Sequence, residues 1–500
     1  MSVKIVNLIA IQCFLYTYGL NSNPSIIIIG AGPSGIAAAT KLWKNNFTNI
    51  KILEAENRIG GRVHSVKFGD AYLDLGGEWC HGQKDNIVYN MVKQYNVLRH
   101  TNTSVQMYYS NGTVLDEEFY YNLVDFSESI DASLNNTKTE EKCGNFSSTG
   151  ECFDSLFNST FAELYRNDSD LQTISVEAEN WLENYMLGFD SSFTLYDLAR
   201  RSVYKRCEGD LTLNWNGRGY KTILEVMLQQ FPDPTQQLPV VNNILLNREV
   251  SRITWDNTGQ VQVLCLDNTT YLADHVIFTP SLGVLKANHQ SLFEPALPEA
   301  KVGAIRNIGF GAIMKIILHF PHTWWDTTHP YSFIWNAADR ERILTEFGRG
   351  PVSSGASWLT TNFVFFTADQ NPKVLIGFFS GEMVPEMEQE ADEVLTAGCM
   401  YMFRKFLGGT FSNITDPDSM IKSTWYSNPH FRGTFSFESA KNTEQGLPNM
   451  LAAPLTRRNG KLAVQFAGEA THPYYFSTVH GAIESGYREA DRLKRYYARN

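Results

Sequence analysis

Six consecutive residues near the start of the chain, Gly30-Ala31-Gly32-Pro33-Ser34-Gly35, fit G-x-G-x-x-G, a spacing suited to holding the pyrophosphate of a dinucleotide. The first glycine permits a tight turn, the second lets the pyrophosphate approach the backbone, and the third lets a helix pack closely on a strand. Glu54 follows nineteen residues after Gly35, where a carboxylate can bind ribose hydroxyls. A second candidate is a cation. The stretch "GFGAIMKIILHFP", residues 309–321, places Lys315 inside an apolar run. In a strand, Met314, Ile316, Leu318 and Phe320 face one way and Ile313, Lys315, Ile317 and His319 the other, so both faces are largely apolar. A buried ammonium needs a partner, because desolvation otherwise drives it toward neutrality. Taken alone, Lys315 reads as an edge-strand residue or a stem carrying its charge to water.

These residues need elements to position them. Residues 25–29 predict a fully buried strand, 33–44 a helix and 50–54 a second strand, the frame in which a G-x-G-x-x-G turn binds a dinucleotide. Near the other end, "KLAVQFAGEATHPYYFSTVHGAIESGYREADRL" predicts a strand over 462–467, a Gly468-Glu469 turn, a loop and a helix from about Thr478. A helix N-terminus carries partial positive charge and suits an anionic group. Between them, "NGRGYKTILEVM" reads as a turn feeding a helix, and "DNTG" and "DNTT" mark turns in a strand-rich run. The acidic amphipathic stretch "EMEQEADEVLTAGCMYMFRKFL" reads as a solvated helix face rather than an amine site. No internal repeat or low-complexity tract is present.

At 500 residues, with 43% hydrophobic and 19% charged, the chain is globular and predicts two or three domains. Aromatics at 13% supply a core and aromatic-lined pockets. A net charge of −11 argues against a nucleic-acid partner and suits a cationic ligand. Lys4 before an apolar stretch and then small polar residues has the layout of a secretory signal peptide over 1–22. Nine N-x-S/T sequons begin at Asn46, Asn102, Asn111, Asn135, Asn145, Asn158, Asn167, Asn268 and Asn413, which predicts a secreted glycoprotein. Cys143 and Cys152 could close a short disulfide loop, and their spacing does not suit zinc; no metal site is expected. The ending "RLKRYYARN" carries no apolar tail, so no terminal membrane anchor is expected.

Glu54-Ala55-Glu56-Asn57-Arg58-Ile59-Gly60-Gly61-Arg62 matches the E-x-x-x-R-x-G-G-R pattern of FAD enzymes. With "YLDLGGEWCHG", "TPSLGVLK", "GAIMKI", "SNPHFRGTFSF" and "GEATHPYYFSTVHGAIESG", the chain from about Ser25 onward resembles the flavin-containing amine oxidase family, and within it the animal spermine and N-acetylpolyamine oxidases. The resemblance implies an α/β fold with a Rossmann-like FAD-binding domain assembled from 24–102, 211–298 and 423–500. An α+β substrate-binding domain would come from 103–210 and 299–422. It implies that Gly30, Gly32, Gly35, Glu54, Arg62, Gly76, Gly77, Val250 and Glu469 hold FAD, with Trp425, Thr478 and Val479 near its isoalloxazine. Val250 would lie on a strand whose backbone meets the adenine.

By the same resemblance Lys315 holds a water against the flavin N5, where electrons leave for oxygen. His81 stands where animal members carry histidine and plant polyamine oxidases glutamate, and could bond a substrate amine or help keep it neutral. The implied reaction is oxidation of a polyamine at a CH–NH group, giving an aminoaldehyde, a shorter amine and hydrogen peroxide. "FRGTFSF" lacks the cysteine that tethers FAD in monoamine oxidases, so noncovalent FAD is expected. Two alternatives stay open: a secreted oxidase of L-amino acids or other amines, which for amino acids would need an arginine aimed at the carboxylate, and a catalytically silent FAD-binding glycoprotein. Which polyamine is oxidised, and at which carbon, is open at this level.

Overall fold

Four isoleucines, Ile26–Ile29, form a central strand in the computed structural model, which describes residues 23–101, 104–131, 141–256, 259–441 and 446–499. The expected signal peptide and the Asn102 and Asn135 sequons lie outside the described residues. Strand order across this six-stranded sheet is Leu455–Thr456, Leu462–Phe466, His275–Phe278, Ile26–Ile29, Ile50–Leu53 and Ile244–Leu245. All neighbours run parallel except Leu455–Thr456. A parallel sheet is covered on both faces, which is why its central strand carries no polar alternation. Ile26 and Ile28 pack with Ile36, Ala37 and Ile483, whereas Ile27 and Ile29 pack with Val276, Phe278 and Phe466 on the other side.

The Pro33–Lys44 helix starts with proline at its first position and buries Ala37, Ala38 and Ala39 completely. Small side chains let it lie close against the Val479–Arg499 helix: a Cβ on Gly486 would stand 2.2 Å from the Ser34 carbonyl oxygen. The helix that follows the glycine turn and the last described helix are thereby packed together.

A second six-stranded sheet has the order Ser419–Lys422, Ile313–His319, Asn371–Ser380, Asn362–Ala368, Tyr331–Ile334 and Gln106–Tyr109. Ile313–His319 is an interior strand, antiparallel to both neighbours. The two-face pattern holds: Met314, Ile316, Leu318 and Phe320 join one apolar cluster, and Ile313 and Ile317 another. The edge-strand and snorkelling readings of Lys315 do not survive, because the residue is only 5% exposed. Helices Glu117–Ile130, Thr149–Leu164 and Ser175–Asp190 pack around a third, aromatic-rich cluster. Thr149–Leu164 opens with a reciprocal Ser148–Glu151 capping box, and Cys143 and Cys152 form the anticipated disulfide.

The acidic stretch keeps its expected solvated face, with Glu386, Asp392 and Glu393 exposed, and only Glu388 of its carboxylates turns inward. Its Asp392–Leu407 helix buries Leu395, Cys399, Met402, Phe403 and Phe406, and buried Glu388 accepts the Tyr426 and Ser427 N–H groups at 3.0 and 2.7 Å. Glu388 therefore braces the loop that carries Trp425. Among the described residues no helix is long and apolar enough to cross a membrane.

Candidate active site

The glycine turn has the shape its spacing requires. Gly30 has φ +98°, and a Cβ on Gly35 would stand 2.0 Å from the Gly30 carbonyl oxygen, so the third glycine is what allows the helix to start there. Above Gly32 the nearest atoms to an added Cβ are 3.9 Å away, on Gly60 and Gly61. Gly32 is also the N-cap of Pro33–Lys44 and offers no side-chain cap, so first-turn N–H groups are left for an anion. Glu54 is buried, and its carboxylate accepts the Ala31 and Glu56 N–H groups at 2.7 and 2.9 Å. Burial nonetheless raises its pKa above the ordinary carboxylate value. These features fit an FAD pyrophosphate and ribose: an open cradle, uncapped donors and an acid beside them.

Val250 begins the Val250–Thr254 strand, half-buried and paired with Cys265. It is tied to the Glu54 end of the cradle by a residue that the sequence did not single out. His430 Nδ1 lies 2.6 Å from Glu56 Oε1 and its Nε2 3.2 Å from Glu249 Oε2. Burial lowers the pKa of this imidazole, but the two carboxylates outweigh it and the net shift is upward. A raised folded pKa contributes stability that is present below the ordinary histidine value and is lost as pH rises through the folded one. The stability difference between wild type and His430→Gln, measured by thermal unfolding, is therefore expected to be largest near about pH 6 and to shrink toward about pH 9. A difference independent of pH would show that His430 is not a charged clamp.

Arg62 and Glu469 join the two halves of the cradle. Arg62 Nη1 donates to the Thr434 carbonyl at 2.7 Å and to Glu469 Oε1 at 3.0 Å; Glu469 Oε2 accepts from Ser436 Oγ at 2.6 Å and the Ser477 N–H at 2.8 Å. Their charged ends are engaged with each other and with the loop leading to Val479–Arg499. Thr478 Oγ donates to the Tyr475 carbonyl at 2.7 Å and accepts the Gly481 N–H at 3.0 Å, capping that helix.

The 75–81 loop brings the remaining candidates together. A Cβ on Gly76 would stand 1.8 Å from the Arg62 carbonyl oxygen and 3.0 Å from Trp425 Cζ2, and one on Gly77 would stand 3.3 Å from Val479 Cγ2. Only glycines allow Arg62, Trp425 and Val479 to approach this loop so closely. Trp425 is held by its Nε1 donating to the Leu75 carbonyl at 2.8 Å. Lys315 reaches the same loop: its Nζ donates to the carbonyls of Asp74 (2.7 Å) and Gly76 (2.9 Å) and to Glu78 Oε2 (2.6 Å). The Phe378 ring centroid lies 5.0 Å from Nζ, and Trp79 stacks on Phe378 with centroids 5.8 Å apart.

His81 closes the loop. Its Nδ1 is 2.5 Å from the Leu211 carbonyl oxygen, which can only accept, so Nδ1 carries a proton and, in the neutral ring, Nε2 is left as an acceptor. Burial, opposed by this bond and aided by the charge of Arg206, lowers its pKa below the usual histidine value. Glu78 and Asp74 are the site residues that sequence reasoning passed over. Their signal was indirect: a lysine inside an apolar strand demands acidic or carbonyl partners.

Comparison with known proteins agrees with this geometry. The family model described as flavin containing amine oxidoreductase matches residues 33–494. The chain is 27% identical over 577 residues to probable polyamine oxidase 5 of Arabidopsis thaliana, covering 95% of this chain and 99% of that protein. It is also 27% identical over 518 residues to the peroxisomal N(1)-acetyl-spermine/spermidine oxidase of Homo sapiens, covering 95% and 96%. Polyamine oxidase 1 of Zea mays is 26% identical over 485 residues, covering 94% and 90%. Glycine cradle, buried lysine and full-length similarity lead to one conclusion: the chain belongs to the flavin-containing amine oxidoreductases and is an FAD-dependent amine oxidase.

Proposed function

We propose that this enzyme oxidises a polyamine at a secondary amine, taking up oxygen and water and releasing an aminoaldehyde, a shorter amine and hydrogen peroxide. The observation that carries this reading is the convergence of Lys315 and a neutral His81 on one loop, 75–81, against the start of Val479–Arg499. Gly30, Gly32, Gly35 and Glu54 would hold noncovalent FAD, with Val250 toward its adenine and Gly76, Gly77, Trp425, Thr478 and Val479 around its ring. Bound FAD supplies the hydride acceptor. His81 Nε2 accepts an N–H of the substrate amine, and Trp79, Phe366 and Phe378 form an apolar wall suited to methylene segments.

Segments 24–102, 211–298 and 423–500 form the FAD-binding Rossmann-like unit in this reading, and 103–210 with 299–422 the substrate unit. Each six-stranded sheet draws its strands from one of these sets, which supports the division. Polyamines are favoured over amino acids because the charge of Arg206, which reaches His81, is taken up by Glu128 at 3.6 Å and by Asp131. Export and glycosylation are part of the proposal. Asn46, Asn111, Asn145, Asn158, Asn167, Asn268 and Asn413 are all exposed, and the Cys143–Cys152 disulfide suits an oxidising compartment.

The test is peroxide release with product analysis on spermine, spermidine, their N-acetyl forms and a set of L-amino acids, with the flavin freed by denaturation identified as intact FAD. Turnover of amino acids alone, or a flavin that stays with the precipitated chain, would contradict the reading. His81→Ala is expected to lower kcat/KM for a polyamine by roughly tenfold to a hundredfold and to alter its pH profile, with flavin content unchanged. An unaltered profile at full activity would leave His81 a loop histidine bonded to Leu211.

A further inference from the structure

The Lys315 ammonium has three hydrogens, and the fold supplies three acceptors for them. Two are main-chain oxygens, of Asp74 and Gly76, and cannot leave without moving the loop. The third, Glu78 Oε2, is on a side chain that is 14% exposed against 6% for Lys315. It is both the charged partner of the ammonium and the one acceptor free to swing away.

We propose that Glu78 is a positioning residue for the oxygen-dependent half of the reaction: its carboxylate keeps Lys315 an ammonium and reserves the N–H that a water or the reduced oxygen takes over. This rests on the role given to Lys315 above. The step it serves is the uptake by oxygen of two electrons from the reduced flavin, with two protons, to give hydrogen peroxide. Negative charge grows on oxygen during that uptake, and an ammonium stabilises it.

The surroundings leave Glu78 as the ionic partner of Lys315. Asp74 offers its backbone carbonyl, while its carboxylate is turned to Ser65 Oγ and the Tyr220 N–H; burial raises its pKa to about 7. Asp369 accepts the Gly217 N–H at 2.9 Å and acts on Glu78 only through its charge. From the neighbouring strands come the Phe378 ring and Ser423 Oγ, which accepts the Lys315 backbone N–H at 2.9 Å. Lys422 is turned to Asp392 at 3.1 Å. Burial raises the pKa of Glu78 and the adjacent ammonium opposes this, as expected for a buried pair.

The experiment reduces the flavin-loaded enzyme with dithionite, without amine, and mixes it with oxygen in stopped flow across pH. In Glu78→Gln the reoxidation rate is expected to fall with rising pH at a lower midpoint than in wild type. In a Lys315→Met background the same substitution is expected to move no midpoint. A second reading is the flavin midpoint potential, expected to be higher in Glu78→Gln than in wild type at low pH and to converge with it at high pH. Glu78→Ala also removes the charge and carries the same expectations should Glu78→Gln not fold. An unmoved midpoint, a shift that persists without Lys315, or a pH-independent potential difference would overturn the proposal. Because dithionite replaces the amine, a wrong substrate leaves this test untouched. Lys315→Met reacting at the wild-type rate would instead overturn the role of Lys315 itself.

Discussion

Lys315→Met is expected to slow the reaction of the reduced enzyme with oxygen by about a hundredfold while changing anaerobic reduction by its amine substrate no more than about twofold. Methionine keeps the unbranched shape and the apolar pattern of an interior strand whose flanking residues are buried. The lost ammonium would leave the Asp74 and Gly76 carbonyls and the Glu78 carboxylate without their shared donor. A buried carboxylate in that position takes up a proton, for burial already raises the pKa of Glu78, so the variant sheds the charge instead of the fold. In the role proposed for Lys315, what it cannot replace is a positive group where charge builds on oxygen, worth about 3 kcal/mol at the transition state. Rapid mixing resolves the two half-reactions. Equal slowing of both, or slowing of reduction alone, would remove Lys315 from the oxygen step.

Gly35→Ala is expected to abolish stable flavin binding, lowering FAD affinity by at least about a hundredfold, and to destabilise the flavin-free protein by about 1 to 3 kcal/mol. The added Cβ would stand 2.0 Å from the Gly30 carbonyl oxygen and 3.1 Å from its carbon, and backbone atoms cannot move aside as the tip of a side chain can. Relief means parting the helix from the strand, which also opens the glycine turn. Gly32→Ala is the informative contrast, because among the described residues the nearest non-neighbouring atoms to its Cβ are 3.9 Å away. That variant should unfold like wild type when flavin-free and yet bind FAD more weakly, since the space it fills is the one assigned to the pyrophosphate. Thermal unfolding of the flavin-free proteins and FAD titration measure the two effects separately. If Gly32→Ala bound FAD as wild type does, the cradle would be misplaced.

Much of this was legible in the chain because its causes are local. The Pro33–Lys44 helix begins where proline follows Gly32, runs through three alanines and ends at Asn45, with Asn46 in the left-handed region. Period-two alternation assigned the two faces of Ile313–His319 correctly, and the nine-residue separation of Cys143 and Cys152 was short enough to pair them. The cradle follows from the same economy: turn, helix start and acid lie within one strand–helix–strand unit. The acidic stretch is solvated as its composition suggests, but charge density along a sequence does not say which carboxylate turns inward; Glu388 does, to meet two N–H groups of a loop nearly forty residues on.

The sequence by itself determined the cradle for a dinucleotide, the apolar strand around Lys315 and the need of that lysine for a partner, since glycine sterics, side-chain alternation and desolvation act over a few residues. Tertiary structure alone decided that the partner is Glu78 together with the carbonyls of Asp74 and Gly76, separated from Lys315 by 237 to 241 residues. It likewise decided that His81 presents Nε2, through the Leu211 carbonyl 130 residues away, and that Arg62 is locked to Glu469 across 407 residues. These contacts depend on which strands pair and how the two sheets and the helices Pro33–Lys44 and Val479–Arg499 pack. Hydrogen bonds of fixed length report that packing only once the chain has folded, because no neighbouring residue supplies either end of them.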